Sequence, residues 1–300
     1  MQVFPKPDIS YHVGFPKSEA NVFSILIPSW NNLDFLKICV ASIVKNSYFK
    51  HQIIIHVNEG TDGTLEWVKS QGLDYSYSST NAGVCYAMNA MAKLSSTNYL
   101  LYINDDMYAC KDWDKQLWEQ KLALGHDHFF ISSTLIEPAL TNSSAVIAPY
   151  NFGTTPHEFN EQDLTEFVSN LKHPNWSGGT WPPNLVSKSL FEKVGGYSEE
   201  FSPGFGSDPD FAMKLWQEGV RDFIGVGSSF AYHFLSKSTG RVKSNNGRKK
   251  FAKKWGIPSS YFYKYVLKMG APLHDVGKLH FPKGFKFVLA RLRAFYISIK

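Results

Sequence analysis

The sequence predicts an α/β fold with a mostly parallel central sheet flanked by helices. Short apolar runs, typical of buried parallel strands, alternate with segments whose apolar residues recur every three or four positions, as in amphipathic helices. Each run is followed by glycine or short polar residues. This alternation indicates strand–helix–strand units with right-handed crossovers, in which polar loops after the strands lie at one edge of the sheet.

The first two strands are both expected to end in polar loops. The run 22–28 is apolar and precedes a helical stripe, and the run 52–57 is rich in isoleucine. The second run ends in 58–64, a turn of glycine and short polar residues. We expect Asn32 and Thr61 to cap the helices that follow these loops.

The next part of the chain ends in a cluster of polar and acidic residues. A short strand is expected at 75–78, followed by a helix and the apolar run 99–103. Asn104, Asp105 and Asp106 come directly after that run. Adjacent carboxylates repel each other unless a cation lies between them, and Mg²⁺ or Mn²⁺ bound by carboxylates and substrate phosphates is the usual solution. A solvated acidic turn is the alternative interpretation.

The middle of the chain is less regular. We expect strands at 129–132 and 145–148 and a helix at 161–171. The segment 176–183 follows and is rich in glycine and tryptophan. Glycine lets a backbone approach a ligand closely, and a tryptophan face suits a sugar ring, so Gly179 and Trp181 are candidate sugar-binding residues. A loop with core tryptophans is the alternative.

A glycine-rich turn then presents an aspartate at the start of a helix. Asp208 fits a helix N-cap, but a carboxylate beside a ligand site at the strand ends also suits a general base. A short strand at 223–226 is followed by His233, which is either a structural histidine or a metal ligand. Neither a dinucleotide-binding glycine motif nor a P-loop is present in the sequence.

Six short motifs, taken in order, resemble those of family 2 glycosyltransferases, which have the GT-A fold. They are 25–31 (ILIPSWN), 57–64 (VNEGTDGT), 81–83 (NAG), 103–106 (INDD), 195–199 (GGYSE) and 207–211 (SDPDF). The resemblance covers about residues 22–240. It implies an inverting enzyme that transfers a sugar from a nucleoside diphosphate sugar, of UDP or GDP type, to a glycan or lipid-linked acceptor in polysaccharide or glycolipid biosynthesis.

The resemblance also implies roles for single residues. The donor nucleotide sugar would be bordered by Pro28, Ser29, Asn31, Asn58, Asn81, Gly83, Asn104 and Asp105. Asp106 and, as a further ligand, His233 would hold Mn²⁺ or Mg²⁺, and Asp208 would be the general base. Asp210 is the alternative base, because Ser207 replaces the acidic residue that commonly precedes the base.

Charge divides the chain into unequal parts. Residues 237–300 hold 16 Lys and Arg against one acid, a net charge of +15, whereas residues 1–236 hold 15 bases and 25 acids, a net charge of −10. We therefore expect an N-terminal extension at 1–21, a glycosyltransferase domain at 22–236 and a basic, mainly helical C-terminal region at 237–300.

The basic region is expected to begin as a loop over the diphosphate, near Arg241 and Lys243, and to end in an amphipathic helix. The apolar stripe of that helix is formed by Phe285, Val288, Leu289, Leu292, Phe295 and Tyr296. Lys286, Arg291 and Arg293 flank the stripe. The helix either lies on an anionic membrane surface or packs on the catalytic domain.

The sequence predicts a cytoplasmic protein that is at most peripheral at the inner face of a membrane. It contains no run of roughly 18 apolar residues, and its first residues lack the apolar segment of a signal peptide. Cys39, Cys85 and Cys110 are odd in number and lack metal-site spacing, so we expect reduced thiols.

Two other functions compete with the transferase. A nucleic-acid-binding protein would explain the basic tail, but it would not explain Asp106 or Asp208, so we expect no nucleic-acid partner. A non-catalytic sugar-nucleotide-binding module is suggested by Asn58, Asn104 and Ser207, which stand where the family usually has acidic residues.

Overall fold

The computed structural model describes residues 6–14, 20–236 and 245–299. The strands are β1 (Ser10–His12), β2 (Ser24–Trp30), β3 (Gln52–Asn58), β4 (Asp74–Ser78), β5 (Tyr99–Tyr102), β6 (Met107–Ala109), β7 (Phe129–Ile136), β8 (Val146–Ile147), β9 (Trp176–Ser177), β10 (Asn184–Ser187) and β11 (Asp222–His233). The helices are α1 (Leu33–Asn46), α2 (Thr64–Ser70), α3 (Gly83–Leu94), α4 (Trp113–Leu124), α5 (Glu161–Ser169), α6 (Lys188–Lys193), α7 (Ser207–Gln217), α8 (Gly247–Trp255), α9 (Ser259–Tyr261) and α10 (Phe285–Ile299).

The described strands form one sheet in the order β1-β4-β3-β2-β5-β10-β7-β11-β6, with β8 paired to β7 and β9 paired to β11. Strands β4, β3, β2 and β5 are parallel neighbours, as the strand–helix–strand pattern predicts. Their residues are largely buried on both faces, which explains why they are continuous apolar runs. The α/β prediction is therefore confirmed.

The other half of the sheet is mixed. Strand β10 lies antiparallel between β5 and β7, whereas β7 and β11 are parallel. The β7–β11 register shifts between Val226 and Phe230, where Ser229 Oγ lies 2.7 Å from Ser133 Oγ. Beyond this irregularity β11 pairs antiparallel with β6, which places His233 opposite Met107. The last residue of β11 is thereby brought beside the acidic residues that follow β5.

Two local capping expectations are wrong, because a different residue, Asp62, makes the side-chain hydrogen bonds. Neither Asn32 nor Thr61 caps a helix through its side chain. Instead Asp62 accepts hydrogen bonds from the Leu33 backbone N–H, at 2.8 Å, and from the Thr64 backbone N–H, at 3.1 Å. One carboxylate thus stabilises the first turns of both α1 and α2, and it joins the first two polar loops.

The sheet also extends into the segment that we expect to be an N-terminal extension. Strand β1 pairs antiparallel with β4, and Asp74 accepts a hydrogen bond of 2.7 Å from the Gly14 backbone N–H. His12 stacks on Tyr75, with ring centroids 4.5 Å apart. Strand β1 therefore covers part of the edge that β4 would otherwise expose.

The described part of the basic region, residues 245–299, is mainly helical. Its residues Phe251, Phe262 and Leu267 belong to the same buried cluster as Met91 of α3 and Phe211 of α7. No helix among the described residues is long and apolar enough to cross a membrane. The boundary at residue 237 stays a prediction, and the expected diphosphate loop at Arg241 and Lys243 lies outside the described residues.

Candidate functional site

A cavity of about 580 Å³ lies where β2, β3 and β5 end, within the usual size of a small-molecule site. Among the predicted site residues, it is lined by Pro28, Ser29, Asn58, Asn81, Gly83, Asn104, Asp105, Asp106, Asp208 and His233. The rest of its wall is formed by Trp30, Asn32, Val84, Tyr102, Pro203, Gly204, Phe205, Gly206, Ser207, Leu235 and Ser236. The structure thus gathers ten predicted residues from six separate segments of the chain.

Three predicted donor-binding residues do not line this cavity. Asn31 joins two loops, because its Oδ1 accepts a hydrogen bond from the Thr61 backbone N–H, at 2.9 Å, and its Nδ2 donates to Glu59, at 3.2 Å. Gly179 does make a close backbone approach, but to the protein itself. A Cβ on Gly179 would lie 2.3 Å from the carbonyl oxygen of Ile224.

The third of these residues is Trp181, which packs edge to face against Tyr263 with ring centroids 6.4 Å apart. Burial and the nearby charge of Asp208 raise the pKa of the Tyr263 phenol. Trp181 therefore contacts Tyr263, which lies near Asp208. Trp176, from the same segment, is buried and donates a hydrogen bond of 2.9 Å to Thr134. Trp176 is therefore a core tryptophan, which agrees with the alternative interpretation of the segment 176–183 as a loop with core tryptophans.

Asn58 organises one wall of the cavity through its amide. Its Nδ2 donates to the Ser29 carbonyl oxygen, at 3.4 Å, and its Oδ1 accepts from the Ala82 backbone N–H, at 2.8 Å. A carboxylate at this position would have no proton for the Ser29 carbonyl, which accounts for the amide here. Within the described residues, the buried Ser29 Oγ has no hydrogen-bond partner, and it adjoins the cavity.

The Asn81-Ala-Gly83 motif forms part of a second wall of the cavity. Asn81 Oδ1 accepts a hydrogen bond of 2.9 Å from the Gly83 backbone N–H. Gly83 has a φ of +75°, and a Cβ there would lie 2.4 Å from the Pro203 Cα. The Val84 N–H donates to the Pro203 carbonyl, at 2.9 Å, and Ser202 Oγ donates to the Ala82 carbonyl, at 2.6 Å. The start of α3 therefore holds the loop that leads to Asp208.

The acidic side of the cavity is a chain of three charged groups. Asp106 Oδ2 lies 3.5 Å from His233 Nε2 and accepts a hydrogen bond of 2.9 Å from the Ser236 backbone N–H. On the other side of the ring, His233 Nδ1 lies 2.8 Å from Glu137 Oε1. Burial would lower the pKa of His233, but the two carboxylates raise it to about 9. Burial would raise the pKa of Asp106, but His233 and Ser236 lower it.

These side chains offer a small ligand set for a metal ion. No group of three or more His, Cys, Asp or Glu side chains in the described residues is arranged to hold an ion. Asp106 and His233 supply one carboxylate and one imidazole, and Glu137 orients the imidazole as outer carboxylates commonly do. Two protein ligands fit an ion that completes its coordination with phosphate oxygens and water.

The two candidate bases, both in α7, have different surroundings. Asp208 lines the cavity, and its burial raises its pKa to about 6, although a hydrogen bond from Ser207 opposes the shift. Asp210 is fully buried, and its Oδ1 accepts hydrogen bonds from Trp255 Nε1, at 2.8 Å, and from Lys254 Nζ, at 2.9 Å. Asp210 therefore joins α7 to α8, and of these two aspartates Asp208 is the one that lines the cavity.

Sequence reasoning missed Glu137 and the backbone of Ser236. A usable signal existed for Glu137, because it follows strand β7 directly, just as Asn104 follows the apolar run 99–103. We expect that strand to end at 132, which leaves Glu137 in an unassigned loop. No local pattern marks Ser236, whose contact with Asp106 depends on the pairing of β6 with β11.

Comparisons with known proteins agree with this architecture. The profile of Glycosyl transferase family 2 matches residues 24–195, more than half of the chain. O-antigen biosynthesis protein RfbC of Myxococcus xanthus is 24% identical over an alignment of 246 residues, with a coverage of 76% of this chain and 18% of RfbC. Uncharacterized protein y4gI of Sinorhizobium fredii (strain NBRC 101917 / NGR234) is 24% identical over an alignment of 263 residues, with a coverage of 81% of this chain and 28% of y4gI. The chain thus spans less than a third of either relative.

A solved structure with a similar fold is the crystal structure of GalNAc-T7 with UDP, GalNAc and Mn²⁺. Its TM-score is 0.59 at 14% identity, over 93% of this chain and 55% of that one. At this identity the similarity concerns the fold. Together with the family profile, it confirms the predicted GT-A type of α/β fold.

Proposed function

Because the chain belongs to glycosyl transferase family 2, we propose that it is an inverting enzyme that uses a nucleoside diphosphate sugar of UDP or GDP type. Membership of the family makes the chain a glycosyltransferase. One observation carries the finer proposal: Asp106, His233 and Asp208 line the same cavity at the carboxyl ends of parallel strands. That cavity holds both a candidate metal pair and a candidate base.

In this proposal, the donor lies along the strand ends. Pro28, Ser29 and Asn58 border the base and ribose, with Asn81 and Asn104 on the opposite side, since all five residues line the cavity. The diphosphate is directed toward Asp106 and His233.

We propose that Asp106 and His233 bind Mn²⁺ or Mg²⁺ together with the donor. The crystal structure of GalNAc-T7, which shares the fold, contains UDP and Mn²⁺. When bound, the ion offsets the negative charge that grows on the leaving diphosphate. Glu137 accepts the Nδ1 proton of His233, which keeps the opposite nitrogen, Nε2, directed toward Asp106.

Asp208 is the proposed general base. As the acceptor oxygen forms its bond to the anomeric carbon, the bond from that carbon to the diphosphate breaks, and Asp208 takes the hydroxyl proton. The anomeric configuration inverts because the acceptor attacks opposite the leaving group. A base contributes ~10²–10⁴-fold to such a rate when its pKa lies near the working pH, and burial moves the pKa of Asp208 in that direction.

The proposed acceptor is the hydroxyl of a glycan or a lipid-linked glycan, in polysaccharide or glycolipid biosynthesis at the cytoplasmic face of a membrane. The relative RfbC, described as an O-antigen biosynthesis protein, supports this role, although the chain spans only a small part of it. We also propose residues 22–236 as the catalytic domain and 237–300 as an accessory basic region.

A thermal-shift screen tests the donor site first. The full chain is heated with UDP-, GDP-, CMP- and dTDP-sugars, each with Mn²⁺ and with EDTA. A donor at 100 times its dissociation constant stabilises the native state by about 2.7 kcal/mol. We expect one nucleotide class to raise the melting temperature with Mn²⁺ and much less with EDTA.

Two variants and a turnover assay complete this test. Asp106→Asn should lose the Mn²⁺-dependent shift, whereas Asp34→Asn, at an exposed aspartate of α1, should keep it. A shift that is equal in EDTA would contradict the metal proposal, and no shift with any donor would contradict the donor site. A Mn²⁺-dependent shift without transfer or donor hydrolysis would indicate the non-catalytic module.

A further inference from the structure

Helix α10 turns Phe287 and two alanines toward the protein, and most of its other large apolar residues away from it. Ala290 and Ala294 are its buried residues, with Ala294 only 1% exposed. The side chains of Phe285, Leu292 and Phe295 are 76%, 61% and 66% exposed. A helix that packs on a core normally buries its large apolar face, so the orientation of α10 needs another explanation.

The exposed apolar residues form one continuous surface, the α10 stripe. Its members are Phe285, Val288, Leu289, Leu292, Phe295 and Ile299. They recur every three or four positions and therefore share one side of the helix. A contiguous apolar surface of this kind on a folded protein marks a binding site for a partner or a membrane.

Basic residues border the stripe on both sides. By helical position, Lys286 and Arg293 lie along one edge and Arg291 along the other, and all three are exposed. The sequence contains no Asp or Glu from residue 276 to residue 300. An apolar centre between cationic edges complements a bilayer whose headgroups are anionic.

The helix is fixed to the body of the enzyme rather than attached loosely. It packs on α8, where the Arg291 guanidinium lies close to Gly256. Helix α8 is joined in turn to α7 by the contacts of Lys254 and Trp255 with Asp210. The α10 stripe is thus connected through two packed helices to the element that carries Asp208.

We propose that the α10 stripe is a docking surface for an anionic lipid bilayer. Its apolar side chains enter the boundary between headgroups and acyl chains, and its basic edges contact lipid phosphates. A second copy of the chain is a poorer partner, because stacking two stripes would bring their basic edges together. This inference deepens the proposed function, since it favours a lipid-linked acceptor, but its test needs no transferase activity.

Vesicle flotation with the full chain is the test. We expect the protein to float with vesicles of phosphatidylcholine and phosphatidylglycerol and to remain at the bottom with phosphatidylcholine alone. The double variant L292D/F295D should remain at the bottom with both, at an unchanged melting temperature, because both side chains are exposed. Leu122→Asp, at an exposed leucine of α4, is the matched control and should float like the wild type.

A second double variant tests the charges and guards against misfolding. Lys286→Gln with Arg293→Gln keeps the apolar stripe and should weaken binding to anionic vesicles by roughly 30-fold, at about fivefold for each charge. Binding of the wild type to neutral vesicles as strong as to anionic ones would overturn the proposal, as would no flotation at all. A dimer that L292D/F295D converts to monomer, without vesicle binding, would assign the stripe to a second copy instead.

Discussion

Glu137 Oε1 lies 2.8 Å from His233 Nδ1, and this contact leaves the other ring nitrogen of His233 directed toward Asp106. The two residues come from neighbouring parallel strands, at the ends of β7 and β11. Glu137 therefore acts on the proposed metal pair without belonging to it.

We predict that Glu137→Gln weakens the response to metal more than it weakens chemistry. Loss of such an outer carboxylate typically costs about 10–100-fold in metal affinity, so the Mn²⁺ concentration for half-maximal activity should rise by that factor while kcat at saturating Mn²⁺ changes little. A Mn²⁺ titration of initial rates measures both. Glu166→Gln, at an exposed glutamate of α5, is the control. An unchanged Mn²⁺ dependence would remove the role proposed for Glu137.

Asp208→Asn should remove transfer and spare binding. We expect kcat to fall by ~10²–10⁴-fold, whereas the Mn²⁺-dependent thermal shift with the donor should persist. Burial raises the pKa of Asp208, so its ionised carboxylate lowers the stability of the native state near neutral pH. The variant should therefore be at least as stable as the wild type near neutral pH. Normal turnover by Asp208→Asn would show that another group takes the proton.

Asp210→Asn should show the opposite pattern. Asp210 is buried against Lys254 and Trp255, so the loss of its charge should lower the free energy of unfolding by about 2–3 kcal/mol. Urea denaturation measures this change, and kcat corrected for the folded fraction should stay within severalfold of the wild type. A stable but inactive Asp210→Asn protein would exchange the roles of the two aspartates.

The pH dependence of kcat/KM follows from the raised pKa of Asp208, about 6 in the free enzyme. A base acts when it is deprotonated, so kcat/KM should be level from roughly pH 7 to 8, between the pKa of Asp208 and that of His233. It should fall as the pH drops through 6, approaching about tenfold per pH unit. Initial rates at subsaturating donor, across this range, test the sign. A rate that stays level to pH 5 would contradict the base assignment.

The close contact between α3 and the 202–206 loop gives a further prediction. Gly83→Ala carries two penalties, a left-handed backbone and a Cβ that would lie 2.4 Å from the Pro203 Cα. Gly195→Ala carries only the first, because its φ is +73° and nothing lies within 4 Å of the added Cβ. We expect Gly195→Ala to cost about 1 kcal/mol in the free energy of unfolding and to keep activity. Gly83→Ala should cost distinctly more and also lower kcat, and equal effects would contradict the contact.

The residues at the ends of β2, β3 and β5 were predictable because a local pattern marks them. An apolar run fixes each strand, and the next polar residues must then lie at the carboxyl edge of a parallel sheet. Ser29, Asn58 and Asn104 were located in this way, and all three line the cavity. The resemblance to a family added roles, but the position at the edge follows from the strands alone.

The contacts that sequence reasoning missed join residues far apart in the chain. The cap of α1 comes from Asp62, and the backbone that crowds Gly179 belongs to Ile224. A residue type indicates what a side chain is able to do, but not which distant segment will reach it first. Asn32 illustrates this, since its amide donates to Asp105, at 3.1 Å, instead of capping its own helix.

The pairing of β6 with β11 has a consequence for how the enzyme becomes competent. Asp106 and His233 are far apart in the sequence, and they meet only when these two strands align in register. Such non-local pairings form slowly, after the local strand–helix units. A chain in which these two strands have not yet paired would therefore have the loops proposed to bind the donor without the Asp106–His233 pair. Recovery of Mn²⁺ binding during refolding would report the moment at which the two halves of the sheet join.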